Sequence, residues 1–236
     1  MRAIQRDPDP EPELELDSGE SSSLGRALTH GLGLPIAALR ASMEALSVEL
    51  AQRDPRAPRL EGVLQEVALI GRNVQDLLDY TRPPEPHCLR CTFEEILIGA
   101  KAGMEEGRRS RIDMAFFEPK IVLEIDGPLV ARNLRRVIDN SFEAGAGRVL
   151  VSAKLVGRER LEVSVVDDGP RDFDPRPCRR SFQTTKPNHL GLGLSIVERD
   201  LALVRGSLEI TRSPMRYTRV VLTIPGQSAR ATRGTR

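Results

Sequence analysis

The chain has 236 residues, a net charge of +1, 39% hydrophobic and only 3% aromatic residues, and no tryptophan. That length holds one large domain or two small ones, while near-neutrality and scarce aromatics give no electrostatic or base-stacking argument for nucleic acid as a partner. No run of about 18 apolar residues marks a membrane span, and the N-terminus lacks the basic-then-apolar profile of a signal peptide, so the sequence reads as soluble and cytoplasmic.

Residues 1–23 are rich in Pro, Asp, Glu and Ser without apolar periodicity, which predicts a disordered acidic tail. From Leu24 the pattern becomes helical. Ile36, Leu39, Met43, Leu46 and Leu50 recur in steps of three and four, the spacing of a coiled-coil seam. Asp54-Pro55-Arg56-Ala57-Pro58 interrupts the helix, and Leu60, Val63, Val67, Ile70, Val74 and Leu77 repeat the seam. The span 24–82 is therefore expected to be a helical hairpin. A hairpin this narrow cannot cover its own seam, which predicts a homodimeric four-helix bundle. Extending the seam backwards puts Leu32 in the core and His30 on the solvent side, just before a turn weakened by Gly31, Gly33 and Pro35. An exposed imidazole on a bent helix is a candidate nucleophile.

The segment 83–92 reads as an interdomain linker, with Pro at positions 83, 84 and 86. It contains His87, Cys88 and Cys91, but a zinc site would need two more ligands at suitable spacing, so these read as linker residues. Residues 93–107 are expected to form a helix, 121–125 a strand, 129–144 a helix, 148–155 and 160–166 a strand hairpin, and 207–211 with 219–224 a second hairpin. Residues 93–225 then make a second domain, followed by a basic disordered tail at 226–236. Strands and helices mix without a series of parallel crossovers. The fold class is thus expected to be α+β: a helical hairpin in a dimeric bundle, followed by a two-layer α/β sandwich.

Residues 183–197, QTTKPNHLGLGLSIV, combine a polar run, two glycines spaced by one residue, and an apolar run of helical character. Glycines admit a ligand to the backbone, and free N–H groups at a helix start favour an anion. No Gly-Lys-Ser/Thr follows, as a P-loop needs, and Ile196 stands where a dinucleotide fingerprint wants a third glycine.

In order, the chain shows His30 and Pro35 on a helical hairpin, DNSFEA at 139–144, VVDDGP at 165–170 and SFQTTKPNHLGLGLSIV at 181–197. Over roughly residues 24–225 this resembles the transmitter core of bacterial sensor histidine kinases, with the short Asp167-to-Gly191 spacing of the nitrogen-sensor type. The resemblance implies a histidine-kinase-type ATPase fold that binds ATP and Mg²⁺. Asn140 would be the metal ligand, through an amide oxygen that suits a hard cation. Asp167 would accept the adenine amino group and Gly169 would let the chain turn around the base. Thr184, Thr185 and Lys186 would lie on a lid near the phosphates, with Gly191, Leu192 and Gly193 at the helix start behind them. His30 would take the γ-phosphoryl group and relay it to the receiver-domain aspartate of a response regulator; a separate sensor protein is an optional further partner.

Several positions depart from the family pattern. Gly31 replaces the acid that normally follows the histidine, Leu34 a polar residue, Arg171 a second glycine, and Tyr217 the glycine before Thr218. Arg136, one helical turn before Asn140, stands where related ATPases carry a water-activating glutamate, and a permanent cation cannot be a general base. The sequence thus argues against ATP hydrolysis for its own sake and for slow phosphotransfer. The alternative is a catalytically degenerate nucleotide-binding adaptor.

Overall fold

A computed structural model of the chain describes residues 34–49, 54, 56–115, 122–157, 159–169, 189–213 and 217–229. His30, Thr184, Thr185 and Lys186 lie outside the described residues, as do Gly31 and Arg171.

The hairpin consists of α1 (Leu34–Glu49) and α2 (Ala57–Thr81). Asp54 terminates the connection by accepting the Arg56 N–H at 2.9 Å and its guanidinium at 2.7 and 3.0 Å. Pro58 then occupies the first turn of α2, where its missing N–H costs no hydrogen bond. Ile36 lies 3.5 Å from the space a Cβ at Gly71 would fill, so the start of α1 packs on the later half of α2 and the helices run antiparallel. Leu60 and Val67 are buried between them. Leu39, Leu46, Val63 and Ile70, also seam positions, remain between 45% and 52% exposed. Four of the ten described seam positions thus stay exposed within one hairpin.

Strand β1 (Leu89–Thr92) leads directly into α3 (Phe93–Lys101). The junction is a capping box: Thr92 Oγ1 accepts the Glu95 N–H at 3.2 Å while Glu95 accepts the Thr92 N–H at 2.7 Å. Phe93, Ile96, Leu97 and Ala100 form its buried face. The expected single helix over 93–107 is divided. Ala102 leaves the helix with ψ 129°, and Gly103 at φ +71° completes a turn closed by the Met104 N–H on the Lys101 carbonyl at 3.1 Å, after which a short α4 (Glu106–Arg109) follows.

Next come β2 (Ile112–Ala115), β3 (Val122–Ile125) and the central helix α5 (Gly127–Glu143). The remaining elements are β4 (Val149–Val156), β5 (Arg160–Asp167), α6 (Gly193–Leu203), β6 (Ser207–Arg212), β7 (Thr218–Pro225) and β8 (Gln227–Ala229). The main sheet has the order β2-β4-β5-β7-β6, antiparallel except for the parallel β2–β4 pair. A smaller antiparallel sheet, β1-β3-β8, joins the end of the linker to residues 227–229. The pattern of the linker and tail therefore changes: 89–92 and 227–229 are strands, each completed by pairing with β3. One face of the main sheet packs under α3, α5 and α6, giving the two-layer α/β sandwich, with Leu134, Ile138, Val149, Val163 and Leu222 fully covered in the common core. Among the described residues no helix is long and apolar enough to cross a membrane.

Candidate functional site

The site forms where the inward faces of β5 and α5 meet. Leu161, Val163, Val165 and Asp167 alternate onto the buried face of β5, so the last core position of the strand carries a carboxylate. On α5 the inward stripe runs Leu134, Val137, Ile138 and Ser141, which brings Ser141 opposite that carboxylate. Asp167 is only 7% exposed. Ser141 Oγ donates to its Oδ2 at 2.7 Å, and the Gly169 N–H donates to its Oδ1 at 3.1 Å. These donors hold the carboxylate in one orientation at the mouth of the core. A Cβ at Gly169 would stand 3.0 Å from Asp167 Oδ1, so a side chain there would press on the same group.

Asp168, its neighbour, points the other way and accepts the Gly147 and Arg148 N–H groups at 2.7 and 2.9 Å. One acid is thus held at the site and the next pins the turn after α5. Asn140 precedes Ser141 on α5 and is half-buried, so the amide and the held carboxylate belong to one neighbourhood. The helix that carries Asn140 and Ser141 begins at Gly127, and Asp126 caps it by accepting the Leu129 N–H at 2.8 Å.

The glycine pair lies at the start of α6. Gly191 has φ +70°, a conformation that disfavours any side chain, and Leu192 is fully buried as an anchor. No side chain caps the N-terminus of α6, and a Cβ at Gly193 would meet nothing within 4 Å. A helix start without a side-chain cap and with open space beside Gly193 fits a phosphate group, as the amide oxygen of Asn140 fits Mg²⁺. His189, just before the glycines, lies 3.7 Å from Glu143 at the end of α5, linking the two halves of the site. Asn140, Asp167, Gly169, Gly191, Leu192 and Gly193 are thus brought to one end of the domain by α5, β5 and α6.

Three features were not visible from the sequence pattern. Ser141 is one; its only signal is a hydroxyl on the inward stripe of an otherwise apolar helix face. Another is Arg199 on α6, which donates to the Asp79 and Tyr80 carbonyls at the end of α2 at 2.8 and 2.6 Å. The third is the setting of Arg136. Its guanidinium donates to both Asp76 and Asp79 of α2, and although burial disfavours its charge, the two carboxylates hold its pKa above the ordinary arginine value. Cys88 is exposed and Cys91 half-buried; burial, with the nearby Glu95, Asp126 and Cys88, pushes the Cys91 thiol up. Among the described residues no group of three or more His, Cys, Asp or Glu is arranged to hold a metal ion.

Comparison with known proteins matches this architecture. Residues 125–228 match the family described as histidine kinase-, DNA gyrase B-, and HSP90-like ATPase. The chain is 29% identical over 217 residues to the sensor protein KdpD of Escherichia coli (strain K12), covering 86% of this chain and 24% of that protein. It is 25% identical over 210 residues to the nitrogen regulation protein NtrY of Azorhizobium caulinodans, covering 82% of this chain and 27% of that protein. A third relative, the signal transduction histidine-protein kinase/phosphatase MprB of Mycobacterium leprae, is 29% identical over 188 residues, or 72% of this chain and 36% of its own. The chain thus spans about a quarter to a third of the length of these curated relatives. In fold it is similar to full-length ShkA in complex with AMPPNP (TM-score 0.67, 19% identity, 91% of this chain and 47% of that one). The catalytic domain of the histidine kinase ThkA is similar over 59% of this chain and 95% of its own, with TM-score 0.51 and 21% identity. Residues 125–228 therefore match the histidine kinase-, DNA gyrase B- and HSP90-like ATPase family, and over most of its length the chain is similar to proteins named as sensor and signal-transduction histidine kinases.

Proposed function

We propose that this chain is a cytoplasmic, dimeric histidine-kinase core that binds Mg·ATP, phosphorylates itself on His30 and passes the phosphoryl group to a response-regulator aspartate. The observation that carries the reading is the Asp167 carboxylate, held by Ser141 and Gly169 beside Asn140 and facing the same end of the domain as the uncapped start of α6. Asp167 reads the adenine amino group, and the α6 N-terminus with Gly191 and Gly193 receives phosphate oxygens. Thr184, Thr185 and Lys186 contribute from the lid segment. Mg²⁺, bound through the Asn140 amide oxygen, would neutralise phosphate charge. In the transfer, a ring nitrogen of His30 forms a bond to the γ-phosphorus, the bond to the ADP oxygen breaks, and the imidazole proton passes to solvent, because Gly31 offers no carboxylate. General-base help is typically worth about 10²–10⁴-fold, so the transfer is slow rather than absent, positioning and electrostatics supplying the rest. The seam residues left exposed on α1 and α2 support pairing with a second hairpin.

The same observations at Gly31 and Arg136 favour a second reading, a nucleotide-binding adaptor without transfer activity. Incubation with radiolabelled ATP distinguishes the two. An acid-labile, base-stable protein label that disappears in His30→Gln is expected for the kinase; tight nucleotide binding without label would establish the adaptor.

A further inference from the structure

Helix α2 does not stand clear of the ATPase domain. Its last turns lie along the stripe of α5 that carries Asn140: Arg72 pairs with Glu143 at 3.8 Å, while Asp76 and Asp79 both take the guanidinium of Arg136. Positions 136, 140 and 143 fall on one side of the helix, and the Cα atoms of 136 and 140 are about 6 Å apart along its axis. The contact continues onto α6. Arg199 donates to the Asp79 and Tyr80 carbonyls and also to Asp200, whose fully buried carboxylate accepts from Arg132 at 2.8 Å. Three arginines and three aspartates from α2, α5 and α6 thus form one electrically neutral cluster across the two domains.

Arg136 is the member with a competing attraction. It projects from the turn before Asn140 and is 15% exposed, its two terminal nitrogens occupied by carboxylates of the hairpin. A triphosphate held at Asn140 would place its negative charges within reach of that guanidinium and close to Asp76 and Asp79. One guanidinium cannot neutralise both sets, and two aspartates left without it repel the phosphates. Resting on the nucleotide site proposed above, we infer that Arg136 is a phosphate-binding residue of this chain, and that Asp76 and Asp79 of α2 compete with nucleotide for it. Docking of the hairpin and binding of triphosphate then oppose each other by the same factor in both directions.

The test treats the two ends of the ion pair separately, on the full chain. Calorimetry with Mg·AMP-PNP and with adenosine is combined with hydrogen exchange across residues 72–81, for Asp76→Asn/Asp79→Asn and for Arg136→Gln. Both variants should lose protection at the end of α2. The aspartate variant should bind AMP-PNP about tenfold more tightly, whereas Arg136→Gln should bind it about tenfold more weakly, with adenosine affinity unchanged in both. A latch without a role in binding would make the two variants tighten alike, which overturns the proposal. So would AMP-PNP affinities within twofold of the unaltered chain in both variants. If neither the chain nor any variant binds nucleotide, the nucleotide reading itself falls, and this inference with it.

Discussion

Ser141→Ala probes the carboxylate at the centre of the site. The substitution removes a donor 2.7 Å from an Asp167 oxygen in a group only 7% exposed, leaving the Gly169 N–H on the other oxygen. A hydrogen bond to a charged group contributes about 1.5–3 kcal/mol, and a buried acceptor left without its donor forfeits most of that. Alanine returns about 0.5 kcal/mol through helix propensity, so a net loss of about 1.5 kcal/mol is expected. For a domain of this size that lowers the melting temperature by about 6 °C. Nucleotide affinity should fall about fivefold to tenfold, because the carboxylate that reads the base is no longer held. Circular dichroism melts and calorimetry measure the two effects, and a double-mutant cycle with Asp167→Asn isolates the contact. The two substitutions should couple by about 1 kcal/mol or more. Additive behaviour, or a Ser141→Ala protein as stable as its parent, refutes the assignment of Ser141 as the group that orients Asp167. Ser195→Ala is the control: it removes a 3.0 Å hydrogen bond to the Leu192 carbonyl, a neutral and partly exposed contact, and should cost less than about 1 kcal/mol.

Asn140→Ala should weaken only the Mg²⁺-dependent part of nucleotide binding, whereas Asp167→Ala should weaken binding with or without the metal; unchanged affinity in both, by calorimetry, would eliminate the nucleotide site. Leu46→Glu with Ile70→Glu changes two seam residues that are 47% and 52% exposed in the isolated hairpin. The pair should convert a dimer to a monomer while leaving helicity intact, and light scattering that finds the parent chain already monomeric at tens of micromolar would refute the bundle. Gly31→Glu should accelerate labelling of His30 by supplying the absent carboxylate, and Gly31→Ala, which restores helix propensity alone, should gain little. Equal rates for those two variants would show that helix geometry, and not the base, limits the transfer.

What could be read in advance was what local chemistry encodes. The limits of α5 follow from Asp126-Gly127-Pro128 and a long inward stripe, and the strands β4 to β7 follow from alternation over six to eight residues. The glycines at 191 and 193 announced a helix start with room over it, and that is their setting. Strands β1, β2 and β8 were missed because each has only three or four residues and exists through a distant partner: Thr92 opposite Val122, Ile112 opposite Val149, Val122 opposite Ala229. β3 is equally short but was legible from Leu123 and Ile125 alternating up to Asp126-Gly127; β1, β2 and β8 offer no comparable stretch. The break in the helix over 93–107 could have been anticipated at Gly103, which takes the left-handed position of the turn that follows α3. Arg136 marks the opposite limit. Its charge was evident and excluded one chemistry, but its partners lie 57 and 60 residues earlier on another domain, a distance that no pattern along the chain reports.

Asp126 has a consequence beyond its role as a cap. One of its oxygens accepts the Leu129 N–H, and the other accepts the N–H of His87 at 2.7 Å, in the segment that leaves the hairpin. A single carboxylate therefore fastens the tether between the domains to the base of α5. Displacing the tether strips one of the two donors from a buried acid, and losing the cap altogether would cost the helix about 1 kcal/mol. Asn140 sits fourteen residues further along the same rod, about 21 Å away. Torque applied to the hairpin would arrive at the root of the helix bearing Asn140 and Ser141, making Asp126 a mechanical joint between the two halves of the molecule.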